Sequence, residues 1–366
     1  MKSIAILNSR QNLRPVGSNE WIIKTHQAVK AASARNSTLL TSTGMSTWEM
    51  VLYLASRYGI RRKIYIPEII NHEAKKSKEY YINQFRLKPE LTDWAEIEIN
   101  HAQRDYHHFQ RERDRLIIES ADIVYPVSLR RGSTLQALIK KNDNNAVIDN
   151  SCRTEYEKSA DSCLKRVETD KLNSELDNRL DDFIIHWTRT SNSPWPGETH
   201  YEYYEAIINS NNFYPRSALE TLKRILTENT IRASIRHYRK GFPAVAFSEL
   251  KPSEAAKLMK WRARYREMTF EPYGIAVRKS TGLELGVRPV IYGSSVEYKN
   301  LADSDKPYFQ SVGKKGFWLP EKEWRHIGDF KLDRVSPGDL KFLVLQAGEI
   351  DNLDGLIESE ILPLYQ

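Results

Sequence analysis

Short apolar runs separated by longer stretches of mixed polarity mark the first 150 residues. Residues 3–7, 37–41, 62–66, 121–127 and 145–149 each form a mainly aliphatic run of strand length. Strands of that kind are buried on both faces. Between them, residues 21–34 and a stretch opening near Trp48 repeat their apolar positions at helical spacing. So do the segments on either side of 121–127. Strand–helix alternation of this sort predicts a parallel sheet covered by helices, an α/β domain over 1–150. Residues 151–181 are charged and poor in apolar positions, and read as a linker with one polar helix. From 182 the pattern changes: β-like runs at 182–187, 244–248, 273–277, 288–292 and 341–345 alternate with turns and with two helices, 217–229 and 253–265. That predicts a separate α+β domain over 182–366.

Composition narrows the class. With 366 residues, 40% of them hydrophobic, the chain is long enough for two cores. Its apolar runs fall short of the roughly 18 residues that span a bilayer, so no membrane partner is expected. The opening run is too short for a signal peptide. The two cysteines, Cys152 and Cys163, build neither a disulfide framework nor a zinc site alone. A reduced, cytoplasmic protein without a metal centre is the expectation. A net charge of +7 suits a polyanionic partner, but both signs are interspersed among the 28% of charged residues. Charge alone therefore leaves nucleic acid open as a partner without specifying an interface.

The loops at the strand ends carry the first candidate chemistry. Ser9 and Arg10 follow the first strand. Gly44 and Ser46 lie in the loop before Trp48. Gly132-Ser133-Thr134 opens a helix just after the strand 121–127, which is preceded by a helix bearing Arg115. Glycine lets the backbone turn tightly, and amides at a helix N-terminus favour phosphate. The plainer reading is three tight strand-to-helix turns. Taken in order, these loops resemble the SLOG superfamily shared by DNA-processing protein A and the "lonely guy" phosphoribohydrolases. The resemblance covers residues 3–150. It implies a Rossmann-like nucleotide-binding domain, with phosphate or ribose contacts from Ser9, Arg10, Gly44, Ser46, Arg115, Gly132, Ser133 and Thr134. The phosphoribohydrolases also place a glutamate just after their Gly-Thr pair. Here Gln136 and Ala137 stand there, and Glu49 lies in another loop, so the domain reads as a nucleotide binder or sensor.

In the second half a histidine ends an apolar strand at Ile185-His186-Trp187, with Arg189 close behind. Phe247 ends another strand, Tyr273 begins a third, and Glu321-Lys-Glu323-Trp-Arg325 follows an aromatic entry at 316–320. That order resembles ADP-ribosyltransferase-like domains of the His–aromatic–Glu type over about 182–350. The resemblance implies NAD as cosubstrate, His186 on the nicotinamide ribose, Phe247 or Tyr273 against the nicotinamide, and Glu323 as the carboxylate. Arg189 and Arg325 would hold the pyrophosphate, and a macromolecule would accept ADP-ribose. Each residue also has a bland reading: a core histidine, an edge-strand ion pair, packing tryptophans. The run Trp261-Arg-Ala-Arg-Tyr-Arg266 suits either a stacked nucleic-acid strand or a solvated helix face. The expectation is thus a nucleotide-sensing two-domain protein with an effector that transfers ADP-ribose or hydrolyses NAD. By analogy of architecture, antiviral defence is its setting. The alternative is a non-catalytic single-strand nucleic-acid-binding protein related to the DNA-processing branch.

Overall fold

The computed structural model describes residues 1–68, 78–98, 106–141, 145–157, 167–235, 242–262, 267–312, 319–353, 355 and 358–366. The opening apolar run forms β1 (Ser3–Asn8). It is followed by α1 (Glu20–Ala34), β2 (Thr38–Ser42), α2 (Ser46–Arg57), β3 (Arg62–Pro67), α3 (Lys78–Phe85) and β4 (Thr92–Ile97). Next come α4 (Tyr106–Glu119), β5 (Ile123–Ser128), α5 (Thr134–Lys141) and β6 (Val147–Ile148). The six strands are parallel, in the order β4-β3-β2-β1-β5-β6. Alternation sorts their side chains onto two cores. Ile4 and Ile6 pack with α1 and α2 on one face, while Ala5 and Leu7 pack with Trp48, Ile117 and Ile118 on the other. This is an α/β sheet covered on both faces.

β4 is absent from the sequence reading for a physical reason. It is an edge strand that shows Asp93 and Glu96 at least partly to solvent and buries only Thr92 and Ile97, so it has no apolar run. Helix α3 escaped for a similar reason, with Tyr81 and Phe85 alone buried.

The chain divides into two compact units, Met1–Cys163 with Ser193–Pro215, and Leu164–Asn192 with Arg216–Gln366. These differ from the expected boundaries at 150 and 182. At the near end of the supposed linker, Thr154 bridges Ser128 in parallel, its N–H donating to the Val127 carbonyl at 2.8 Å. At the far end, Val167, Leu176 and Leu180 are buried in a core of the second unit. Helix α6 (His200–Asn209) belongs to the first unit, although its sequence lies inside the expected second domain. A capping box of Thr199 and Glu202 starts it. Its Tyr203, Tyr204 and Ile207 are buried in the same core as α2 and Phe85. Burying each such side chain stabilises by roughly 1.5–3 kcal/mol before ordering is counted.

The second unit is built on one mixed sheet. Its strands are β7 (Phe183–Trp187), β8 (Ala244–Ser248), β9 (Gly274–Arg278), β10 (Arg288–Pro289), β11 (Glu323–Ile327), β12 (Leu340–Val344) and β13 (Glu360–Pro363). They run in the order β10-β11-β8-β7-β9-β12-β13. Every pair is antiparallel except β12 with β13. Helix α7 (Ala218–Glu228) matches its apolar spacing, with Leu222, Ile225 and Leu226 buried. Ser217 caps its start, and Asn229 ends it in the left-handed region at φ +46°. Helix α8 (Pro252–Leu258) is shorter than the expected 253–265. Trp261-Arg262 instead pairs with Glu267-Met268 as an antiparallel hairpin. The rest of that basic-aromatic run, 263–266, lies outside the described residues, as does most of the aromatic entry 316–320. Among the described residues no helix is long and apolar enough to cross a membrane.

Candidate functional site

β7 and β8 are joined by a single residue pair, Ile185 with Ser248. Each is paired along its whole length with its other neighbour, β9 or β11. Where they part, His186 fills the gap in the ladder. Its Nδ1 donates to the Ala246 carbonyl at 2.8 Å, and its ring meets Phe247 edge-on at 5.9 Å. The parting opens a cavity of about 90 Å³ lined by His186, Phe247, Phe270, Arg189, Glu321 and Glu323 among others. That space is well below the roughly 300 Å³ of a pocket that engulfs a whole ligand. It seats one small group or ring end.

The carboxylates and guanidinium groups interlock. Arg325 donates from Nε and Nη2 to both Glu323 oxygens, at 2.8 and 3.2 Å, with the two side chains 3% and 10% exposed. Arg325 also reaches the Phe309 carbonyl at 3.0 Å and Gln310 Oε1 at 2.6 Å. Its fork is thus taken inside the protein, and it orients Glu323 where the sequence reading had it holding a pyrophosphate. Arg189 is 42% exposed at its side chain and only loosely tied to Glu267, at 3.7 Å. It is the arginine able to meet an outside anion. Arg262 donates to Glu321 and, at 2.8 Å, to Thr269 Oγ1. Burial pushes the Glu321 carboxyl above its usual range, against the pull of Arg262 and with a further push from Glu323. Three arginines and two glutamates line the cavity, and Glu267 beside Arg189 supplies a third carboxylate.

Burial holds His186 far below its ordinary value, at about 4; the Ala246 bond pulls the other way and Arg189 adds to the depression. The ring is therefore neutral at pH 7, with Nδ1 protonated and Nε2 an acceptor. An unfolded histidine titrates near 6.5, so between about 4 and 6.5 the unfolded chain binds more protons than the folded one. Stability then falls as pH drops through that window, by about 2–3 kcal/mol at pH 4.5. His186→Asn keeps a donor for Ala246 and removes the titration. Urea denaturation at pH 7 and pH 4.5 is expected to show this share of the acid loss missing in the variant. Parallel losses in both proteins would assign the titration to another group.

Tyr273, the other candidate aromatic, lies elsewhere. Its hydroxyl donates to Glu349 at 2.8 Å, its ring packs in the core with α7, and it does not line the cavity. Arg262, Thr269, Phe270 and Gln310 escaped the sequence reading. The hairpin that brings Arg262 in falls where a helix was expected, and the others sit in short irregular segments. Among the described residues no group of three or more His, Cys, Asp and Glu side chains is placed to hold a metal ion.

The expected phosphate loops of the first unit are laid out differently. Gly44 and Gly132 do take positive φ, +81° and +72°, so a residue with a Cβ would strain both turns. Their amides, however, already have partners. Gly44 N–H donates to Glu49 Oε1 at 2.8 Å, and Glu49 also accepts from the Tyr204 hydroxyl at 2.8 Å. A carboxylate thus sits at the start of α2 where a phosphate was expected; Ser46 opens the helix. Gly132 N–H donates to Gln136 Oε1 at 2.8 Å, Ser133 N–H to the Arg130 carbonyl at 3.1 Å, and Ser133 Oγ caps Gln136 N–H at 3.3 Å. Thr134 begins α5 and is exposed. Ser9 is brought to this loop: its Oγ accepts from Arg130 N–H at 2.9 Å and lies 3.5 Å from Ser133 Oγ. Arg10 is exposed beside it.

Arg115 does not reach this loop as a free cation. Glu112 and Glu119 of its own helix hold it, the shortest contacts being 2.8 and 2.5 Å. Those two bonds raise its pKa further. Its neighbour Arg113 is the buried one, paired with Asp114 at 2.7 Å and lying 5.2 Å over Trp48. No protein-family model matches this chain, and no curated protein matches it either.

Proposed function

We propose that the second unit breaks the N-glycosidic bond of NAD, passing ADP-ribose to water or to a macromolecular acceptor. In the same reading the first unit is a Rossmann-like nucleotide binder that senses a ligand. The observation that carries the proposal is the convergence of His186, Phe247 and Glu323, from three strands, on one cavity between diverging strands. In this reaction the bond from ribose C1′ to the nicotinamide nitrogen breaks, and its electron pair leaves with nicotinamide. C1′ becomes oxocarbenium-like and then bonds an oxygen of water or acceptor, which releases a proton. Glu323, oriented by Arg325, faces the positive charge that develops. His186, neutral with Nε2 as acceptor, takes a hydrogen bond from a ribose hydroxyl, since Nδ1 already donates to the Ala246 carbonyl. Glu321 is the carboxyl best matched to take up the proton, since its affinity is already raised. Arg189, at the solvent-exposed side of the cavity, meets the pyrophosphate.

The test follows nicotinamide release from NAD by the whole protein, with and without cell lysate as a source of acceptors. Release above the uncatalysed rate in either condition is expected. If neither condition gives release and NAD does not bind, the enzyme reading fails. Salt-steep binding of single-stranded nucleic acid would then favour the non-catalytic alternative.

A further inference from the structure

The order of strands in the first unit reverses between β1 and β5, so their connections leave in opposite directions and a crevice opens at their carboxyl ends. A groove of about 1090 Å³ lies beside the carboxyl end of β5, lined by Arg130, Arg131, Arg153, Gln136, Glu155 and Tyr156 among others. Arg10 adjoins it, since its carbonyl accepts from the Tyr156 hydroxyl at 3.0 Å. Arg35, Arg86, Arg113 and Arg115 of the same unit each have a carboxylate partner. Arg10, Arg130, Arg131 and Arg153 are exposed and have no ion pair among the described residues. Three such cations share the groove with one carboxylate, Glu155. Like charges gathered without partners repel one another, and a bound anion relieves that repulsion.

We propose that this groove is the ligand site of the first unit and that it takes a nucleotide with two or more phosphoryl groups. The inference rests on the reading of that unit as a nucleotide binder. It moves recognition from the helix amides, which are occupied, to the guanidinium groups. Each guanidinium grips phosphate oxygens with a planar fork, and successive phosphoryl groups laid along the groove meet more forks than one group alone. The half-buried Tyr156 ring, held through its hydroxyl, supplies a face for the base.

Calorimetry with the full chain, in the absence of NAD, tests the proposal using tripolyphosphate, ATP, AMP and orthophosphate as probes. Tripolyphosphate and ATP are expected to bind, with AMP and orthophosphate at least tenfold weaker. The double variant Arg130→Ala, Arg153→Ala is expected to lose at least tenfold for ATP. Arg115→Ala, whose guanidinium is held by its own helix, is expected to bind ATP as the parent does. All the substituted side chains are at least partly exposed, and a thermal melt confirms that each variant is folded. The proposal is overturned if ATP and tripolyphosphate fail to bind, if the double variant binds ATP unchanged, or if AMP binds as tightly as ATP. Tighter binding of a 20-mer of dT than of ATP also overturns it in favour of a nucleic-acid track. Because NAD is absent, these outcomes stand apart from the nicotinamide assay, and either reading can fail alone.

Discussion

Glutamine at position 323 is expected to leave NAD affinity within a few-fold of the parent while nicotinamide release falls about 10²–10³-fold, equivalent to about 3–4 kcal/mol of transition-state stabilisation. The amide keeps the size of the side chain and one acceptor for Arg325, but it lacks the charge that opposes the oxocarbenium-like centre. Alanine would confuse the result. The Glu323–Arg325 pair is nearly buried, and alanine takes away the hydrogen-bond acceptor together with the charge, leaving Arg325 with neither, at a cost of about 3–5 kcal/mol. Single-turnover nicotinamide release and NAD titration on the glutamine variant separate the effects. Equal losses in binding and turnover would make Glu323 a structural residue whose task is to satisfy Arg325.

Arg62→Met is expected to raise the stability of the first unit by about 1–4 kcal/mol. Arg62 opens β3 with 0% exposure, and among the described residues none of its three guanidinium nitrogens has a hydrogen-bond partner. Burial lowers its pKa to about 10, with Glu90 pulling weakly the other way. The side chain is therefore still cationic at neutral pH, an uncompensated charge inside a core. Replacing buried charge by apolar volume is commonly neutral or stabilising, and methionine adapts to the space an arginine stem leaves. The penalty is present in full below about pH 10 and is relieved as pH rises towards the unfolded value. Urea denaturation of the parent and variant at pH 7 measures the difference. A variant less stable than its parent would mean that the guanidinium is hydrated or paired in solution.

What could be read from sequence divides by the range of the interaction. β1, β2, β3 and β5 announce themselves because each carries a short apolar run that packs on both faces of the sheet, and Ser217–Asn229 because a cap, a stripe and a left-handed stop all lie within one helix. Gly44 and Gly132 take the positive φ expected of them. The hydrogen bonds that then fill their amides, from Glu49 and Gln136, depend on side-chain rotamers that no spacing rule contains. The same holds for Arg115. Its charge was visible, but its pairing with Glu112 and Glu119, three and four residues away, ties it to its own helix. In the second unit the residue types His186, Phe247 and Glu323 were legible and share one cavity. The roles of Arg325 and Tyr273 were not, because burial sets them, and burial comes from strands far apart in sequence. Arg262 was hidden by a wrong element, a hairpin read as a helix.

The chain completes its first unit late. It leaves that unit at residue 163, lays down β7, and returns for Ser193–Pro215 before building the rest of the second. During synthesis the aromatic face of α2 and Phe85 waits for α6, and β7 emerges before any of its sheet neighbours. A chain that ends between residues 188 and 192 therefore exposes tyrosine-lined core and a lone strand together. A fragment cut at residue 150, where sequence alone would end the domain, carries that uncovered face permanently. One that joins 1–157 to 193–215 through a short glycine-serine linker retains the helix that covers it.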